Sequence, residues 1–251
     1  QFQEEIDSLV AHQAQDEFQA LKNLILNAGV RYDRFSTFGA TVNPRAALVY
    51  QPREPTTIKF LYGQAFRAPN AYENFYETFN YKRNPGLGPE TIRSYELVCE
   101  QRLGRHWRGD VSLFFNDVED LIGLQEDPAD GFFYFDNLDS VRARGGEVEV
   151  EAQWASGLHG RAGYTYTRTE DARSGLRLSN SPAHLGKVSL SVPLRRDRLF
   201  ASVELQGMSR RETVRGGKVG GVWLANATLF GQELAKGLAV SASVYNLFDQ
   251  R

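Results

Sequence analysis

The chain has 251 residues, of which 41% are hydrophobic and 12% aromatic, and its formal net charge is −2. It contains no run of 18 or more apolar residues, which excludes a helical membrane span, and its near-neutral charge argues against a nucleic-acid binder. The single cysteine, Cys99, excludes an internal disulfide.

Stretches in which polar and apolar residues alternate recur along the whole chain. At 199–206, for example, leucine, alanine and valine fall on one face and serine, glutamate and glutamine on the other. This period of two is typical of a strand whose faces meet different surroundings. The pattern predicts strands at 9–18, 22–34, 44–51, 56–66, 91–103, 108–123, 132–154, 157–169, 184–194, 198–210, 222–233 and 237–247.

Six tight turns alternate with five longer polar loops between these strands. Consecutive strands should therefore reverse direction and form an up-and-down meander, with the tight turns at one rim and the long loops at the other. A β-sandwich would need Greek-key crossovers instead. The turns are predicted at 20–21, 52–55, 104–107, 155–156, 195–197 and 234–236, and the loops at 35–43, 67–90, 124–131, 170–183 and 211–221.

The charged residues of the predicted strands fall on one face. Glu147, Glu149 and Glu151 alternate with valines. Three carboxylates in a row would be intolerable in a dry core but cost little in the water-filled lumen of a membrane β-barrel, which the alternation and the short and long connections favour. The solvent face of a soluble sheet is the alternative, although soluble sheets need a thick shared core. Inward we place Asn27, Arg31, Asp33, Lys59, Glu96, Glu100, Glu147, Glu149, Glu151, Arg161, Lys187 and Glu204; outward, towards lipid, we place Leu24, Leu26, Ala28, Val30, Val111, Leu113, Phe115, Val148, Val150, Ala152, Trp154, Val188, Leu190, Val192, Leu238, Val240, Ala242 and Val244.

Four segments that carry a family resemblance follow one another along the chain. They are 27–33 (NAGVRYD) followed by 43–45 (NPR), 62–70 (YGQAFRAPN) with 72–73 (YE), 84–90 (NPGLGPE) continuing into 94–97 (SYEL), and 245–249 (YNLFD). In this order, they resemble the barrel of TonB-dependent outer-membrane receptors. The resemblance implies an all-β fold, an antiparallel up-and-down transmembrane β-barrel of the bacterial outer membrane. Residues 1–251 would form about 11–12 strands of a larger, 22-stranded barrel, without the plug domain and the last strand.

The same resemblance implies active transport of a scarce ligand, such as a ferric siderophore or a cobalamin, energised through TonB. The expected partners are membrane lipid, a small metal chelate or vitamin, and the TonB complex through the absent plug, with no nucleic acid and no cofactor. A passive porin-type channel and a soluble β-sheet binding module are the alternatives. The residues expected to face the lumen or the plug are Arg31, Glu96, Glu147, Glu149, Glu151 and Arg161.

The longest loop, 67–90, combines aromatic residues with cations. Such a set can hold a flat, anionic or metal-chelating ligand by stacking, cation–π contact and charge, whereas packing between loops is the alternative interpretation. Phe75 and Phe79 are expected to hold the loop together. The predicted ligand-binding residues are Tyr76, Tyr81, Arg83, Lys82 and Arg67.

No pattern of catalytic residues is convincing, so the sequence predicts no enzyme and no metal site. None of the four histidines pairs with a nearby serine or cysteine. Glu126, Asp127 and Asp130 lack the ligand spacing of a calcium loop and are interpreted as a solvated acidic turn. Gly145 and Gly146 mark a bulge or a close backbone approach within a strand.

Overall fold

The computed structural model describes residues 9–195 and 198–250, which form one antiparallel sheet of twelve strands and a separate two-stranded hairpin. The strands are β1 (Leu9–Leu21), β2 (Leu24–Phe35), β3 (Gly39–Arg53), β4 (Thr56–Arg67), β5 (Glu90–Leu103), β6 (Trp107–Glu126), β7 (Phe133–Gln153), β8 (His159–Asp171), β9 (His184–Arg195), β10 (Leu199–Met208), β11 (Arg211–Glu212), β12 (Lys218–Val219), β13 (Val222–Ala235) and β14 (Leu238–Val244), and the helix is α1 (Ala71–Phe75). The large sheet has the order β1-β2-β3-β4-β5-β6-β7-β8-β9-β10-β13-β14, so that each strand pairs with its predecessor in the sheet.

The predicted meander is confirmed, with corrections at several connections. The predicted turn at 20–21 is wrong: β1 runs on to Leu21, and the chain turns at Lys22 and Asn23. The predicted loop at 35–43 shrinks to 36–38, because Gly39 has φ +93, a left-handed conformation that lets β3 start early. The loop at 211–221 contains the β11–β12 hairpin. Residues 196 and 197 of the predicted turn at 195–197 lie outside the described residues.

The strand register joins the apolar residues into one continuous face. Leu26 lies opposite Leu48, Leu48 opposite Phe60, Phe60 opposite Leu97, and Leu97 opposite Leu113. These five side chains are between 40% and 56% exposed. An exposed apolar surface of this size is rare on a soluble protein and is what a lipid-contacting face requires.

Little apolar surface is buried inside the described part of the chain. Its buried hydrophobic residues are only Leu87, Ala152, Ala183 and Ala225. The sheet therefore lacks the thick shared core that a soluble sheet needs. The single described helix, α1, is too short and too polar to cross a membrane.

Aromatic residues border the apolar face at both rims. Near the long loops, Tyr62 lies 5.1 Å from Tyr95 and Tyr95 lies 6.2 Å from Phe115, measured between ring centroids. At the tight turns, Trp107 and Trp154 meet edge to face at 5.6 Å. The eight residue-to-residue steps from Trp107 to Phe115 span about 27 Å along β6, or roughly 20 Å across a bilayer at the usual strand tilt.

The glycine pair in β7 marks a close approach between strands. A Cβ atom at Gly145 would lie 2.0 Å from the carbonyl oxygen of Tyr166 and 2.7 Å from the Phe114 ring. The register between β6 and β7 is regular at this point and shifts only between Val118 and Ile122. Close approach, and not a bulge, therefore explains the glycine.

The two-faced sheet predicts an asymmetric response to added charge. We expect Leu190→Arg, on the apolar face, to destabilise the full-length protein in a bilayer by about 2–4 kcal/mol if it lies near the midplane. Thr165→Arg should cost far less, because Thr165 lies on the polar face opposite Glu147. Equilibrium unfolding in phospholipid vesicles measures both values, and equal costs would contradict the assignment of the faces.

Candidate functional site

The base of the longest loop is held by one arginine. Arg67, the last residue of β4, donates two hydrogen bonds of 2.6 Å to Glu90, the first residue of β5. It also donates to both carboxylate oxygens of Glu73 at 3.0 Å. Glu90 accepts a further bond of 2.9 Å from the backbone N–H of Ile122 in β6. These charge-assisted bonds fix where the loop leaves and rejoins the sheet.

A short capped helix follows. The Asn70 side chain accepts a bond of 2.9 Å from the backbone N–H of Glu73, and the Glu73 carboxylate accepts one of 2.8 Å from the Asn70 N–H. This reciprocal capping box sets the start of α1. The same Glu73 carboxylate binds Arg67, so the helix start and the strand end are coupled.

The rest of the loop lies against the β6–β7 hairpin. The Lys82 N–H donates to the carbonyl of Phe133 at 2.9 Å, and the Phe133 N–H donates to the carbonyl of Asn80 at 2.9 Å. Further along, the Asn137 side chain accepts from the Gly88 N–H at 2.8 Å and donates to the Gly88 carbonyl at 3.1 Å. The loop is therefore an ordered cap over this hairpin.

Five aromatic rings pack in a chain inside this cap. Tyr72 lies 4.3 Å from Tyr76, Tyr76 lies 5.3 Å from Tyr81, and Tyr81 lies 5.6 Å from Phe133. Phe135 meets Tyr72 edge to face at 5.7 Å. Tyr72 nevertheless remains 52% exposed, and partial burial together with the neighbouring Tyr76 raises its pKa. The cluster combines a rigid apolar wall with phenol hydroxyls.

Lys82 is neutralised by the acidic turn that follows β6. Its ammonium group binds the carboxylates of Asp127 and Asp130, the latter at 3.0 Å, and lies 5.0 Å from the centre of the Tyr134 ring. The hydrogen bond between the two groups raises the pKa of Lys82 and lowers that of Asp127. No group of three potential metal ligands occurs in the part of the chain that the structure describes.

Arg83 and Phe79 are exposed at the surface of the cap. Arg83 is 64% exposed, and within the described structure it pairs only distantly, at 3.9 Å, with Glu77. Phe79 is 92% exposed, so the expectation that it holds the loop together is wrong. Phe75, also expected to pack, is 40% exposed. Phe79 lies in the turn between the paired residues Thr78 and Tyr81, and its ring is left exposed there.

The predicted binding residues therefore occupy different places. The structure brings Tyr76 and Tyr81 into the aromatic chain, puts Lys82 beside it in an ion pair, and puts Arg67 at the loop base. Sequence reasoning missed the contributions of Phe133 and Phe135, and it counted Tyr72 among the loop aromatics without placing it among the ligand-binding residues. The aromatic run at 132–135 (FFYF), beside the acidic turn, was the available signal.

The polar face of the sheet carries a second group of predicted residues. Arg161 donates to Glu149 at 2.6 Å, and both line a cavity of about 480 Å³ together with Glu147. Glu151 pairs with His159 at 2.8 Å. The carboxylates that the sequence placed on one face thus lie beside basic side chains on neighbouring strands, with Lys187 and Glu204 also lining the cavity.

A more tightly packed polar cluster lies on β2 and β3. Arg31 binds both carboxylate oxygens of Asp33, at 2.7–3.0 Å, and Asp33 is fully buried. Asn43, opposite Arg31 in the register, is 7% exposed and its carbonyl oxygen has no hydrogen-bond partner in the described structure. On β5, Glu96 lies opposite Leu61 and Phe114.

Two curated proteins of related function are similar to this chain in sequence. The ferric enterobactin receptor of Pseudomonas aeruginosa (strain PAO1) is 24% identical over 95% of this chain and 37% of its own length. The vitamin B12 transporter BtuB of Vibrio vulnificus (strain YJ016) is 27% identical over 55% of this chain and 22% of its own length. The chain thus spans well under half of the curated relatives that it matches.

Solved structures share the fold. The siderophore receptor PirA from Acinetobacter baumannii superposes with a TM-score of 0.82 at 17% identity, over 96% of this chain and 42% of that one. A ferric enterobactin receptor mutant from Pseudomonas aeruginosa, solved in complex with enterobactin, gives 0.85 at 21% identity, over 97% and 40%. The family model described as "TonB dependent receptor-like, beta-barrel" matches residues 13–247. The chain therefore belongs to the TonB-dependent receptor family and forms part of its β-barrel.

Proposed function

We propose that the full-length protein is an outer-membrane receptor that imports a scarce metal chelate or a vitamin with energy from TonB. The observation that carries this proposal is the ordered cap on the long-loop rim. It joins an aromatic wall to an exposed arginine, a combination suited to a flat, anionic ligand. Relatives named as a ferric enterobactin receptor and a vitamin B12 transporter support the ligand class.

Within the cap we assign different roles to the predicted residues. Arg83 and the exposed face of Tyr72 contact the ligand, while Tyr76 and Tyr81 form the wall behind them. Lys82 and Arg67 position the loop, because each already binds two carboxylates.

The polar face of the sheet is proposed to meet a plug domain encoded elsewhere in the full-length protein. Among the described residues, its side chains combine acids, bases and one buried acceptor without a partner, the side-chain oxygen of Asn43, and such groups suit a polar, hydrogen-bonding neighbour. The proposed contact residues are Arg31, Glu96, Glu147, Glu149, Glu151 and Arg161.

A single uptake experiment tests the function. Cells carrying the full-length gene should accumulate one iron-loaded siderophore or cobalamin from a radiolabelled panel, and deletion of TonB should abolish accumulation. Uptake that persists without TonB would indicate the passive porin-type channel. Recovery of the protein in the aqueous fraction without detergent would indicate the soluble β-sheet binding module.

The orientation of the barrel gives a second prediction. We expect the long loops to face outside and the tight turns the periplasm. In a Cys99→Ala background, Pro128→Cys should react with an impermeant maleimide on whole cells. Arg105→Cys, also exposed but in a tight turn, should react only after permeabilisation. The reverse labelling would overturn the topology.

The ligand contacts give a third prediction. Arg83→Ala combined with Tyr81→Ala should weaken ligand binding by roughly tenfold or more, equivalent to about 1.4 kcal/mol, because arginine and rigid aromatics concentrate binding energy. Arg83→Gln alone separates the charge from the packing of Tyr81. Lys236→Gln, which removes an exposed cation in a tight turn, is the matched control. If the double variant binds the ligand with the parental affinity, the binding site does not lie on this loop.

The Lys82 ion pair gives a fourth, pH-dependent prediction. The lowered pKa of Asp127 means that its stabilisation of the cap is present at neutral pH and is lost as the pH falls below about 4. Because the pKa of Lys82 is raised, the same stabilisation of the cap is lost at alkaline pH only above about pH 10.4.

Hydrogen exchange at residues 78–84, corrected for the intrinsic rate, measures this effect. The parent should lose protection between pH 7 and pH 3, whereas Lys82→Met should already lack it at pH 7. Equal protection of parent and variant at pH 7 would show that the ion pair does not hold the cap.

A further inference from the structure

The apolar face ends abruptly in charge on four neighbouring strands. Moving towards the long loops, the first charged residue of that face is Arg93 on β5, Asp117 on β6, Arg144 on β7 and Arg168 on β8. Each lies directly beyond the last uncharged residue of the apolar face, whose uncharged part we call the lipid-facing belt. The register adds three more charged residues behind them. We call these seven residues the charged girdle: Arg93, Asp117, Glu119, Arg142, Arg144, Arg168 and Glu170.

Ion pairs across the strands order the charged girdle. Arg93 lies 3.1 Å from Glu119, and Arg142 lies 3.3 Å from Asp117. Glu170 is shared, at 2.6 Å from Arg168 and 3.4 Å from Arg144. Four arginines thus face three carboxylates, which leaves a net positive charge.

The guanidinium groups retain donors for another partner. A guanidinium has five N–H donors, and Arg144 makes no hydrogen bond within the described structure beyond its 3.4 Å ion pair. The side chains of Arg142, Arg144 and Arg168 are 49%, 55% and 44% exposed. The carboxylates therefore orient these cations without saturating them.

The opposite rim of the same strands is different. Towards the tight turns, the apolar face of β5–β8 ends in Leu103, Trp107, Ala152 and Gly160, and no charged residue lies on it below the girdle. An ion-pair network that served only solubility would be useful at either rim. The restriction to one rim points to a partner that is present at one membrane surface.

We propose that the charged girdle binds the phosphate groups of an anionic glycolipid headgroup in the outer leaflet. The girdle continues directly from the lipid-facing belt, so its neighbour at that height is a lipid headgroup. Arginine presents a planar fork that matches phosphate oxygens in two-point contact. The proposal rests on the proposed orientation, in which the long loops face outside.

The test uses the full-length receptor, purified in detergent and stripped of lipid, with purified lipopolysaccharide as the probe. The double variant Arg144→Gln, Arg168→Gln should bind lipopolysaccharide roughly tenfold more weakly than the parent, or worse. Both substitutions remove a positive charge that would attract the anionic phosphates of the headgroup. Enzymatically dephosphorylated lipopolysaccharide should bind the parent as weakly as it binds the variant. Arg102→Gln with Arg105→Gln, at the tight-turn rim, should bind like the parent.

Each other outcome overturns the proposal. If the girdle variant binds lipopolysaccharide with the parental affinity, the charged girdle is only a solvated ion-pair network. Equal loss in the tight-turn control would indicate attraction without a site, and undiminished binding of the dephosphorylated probe would exclude phosphate recognition. Each variant is shown to be folded if its heated sample migrates more slowly in a gel than its unheated sample.

Ligand uptake by the girdle variant keeps the two proposals separable. The charged girdle lies on the opposite face of the sheet from the polar lumen face, so uptake should stay at the parental level. Failure of the parent to take up any probe would reject the proposed transport and leave the lipopolysaccharide result standing.

Discussion

Backbone pairing between consecutive strands is the constraint on which the rest of the structure depends. A bilayer offers no hydrogen-bond partners, so each strand must satisfy its backbone groups through its neighbours. Continuous antiparallel pairing frees the side chains of one face to be apolar and exposed, as at Leu48 and Leu113. Within the described sheet, β1 and β14 pair on one side only. They belong to a larger barrel, as the family relationship requires.

The strands and their faces could be predicted because the period of two leaves little freedom. A shift of one residue would exchange every Val and Glu between 147 and 151, which would place three carboxylates in lipid. Turn positions are less constrained. The turn at Lys22 and Asn23, and the early start of β3 at Gly39, depend on local backbone geometry and not on which face a side chain occupies.

The candidate site was only partly predictable, because its contacts join residues that lie far apart in the sequence. The identities of Tyr76, Tyr81 and Lys82 indicated an aromatic and cationic loop. Nothing local indicated that Lys82 would bind Asp127, 45 residues away, or that Tyr81 would pack on Phe133. Phe79 shows the reverse error, since its apolar character predicted packing while the paired backbone around it left it exposed.

The same residue type takes opposite roles according to strand parity and height. Arg144 and Arg161 are both paired with a glutamate and about equally exposed, at 55% and 57%. Arg161 lies on the polar face, beside the cavity that it lines with Glu149. Arg144 lies on the apolar face, beyond its last uncharged residue, where we propose a lipid headgroup layer as its neighbour. An arginine in such a barrel is therefore interpretable only after its face and its distance from the belt are known, and the register supplies both.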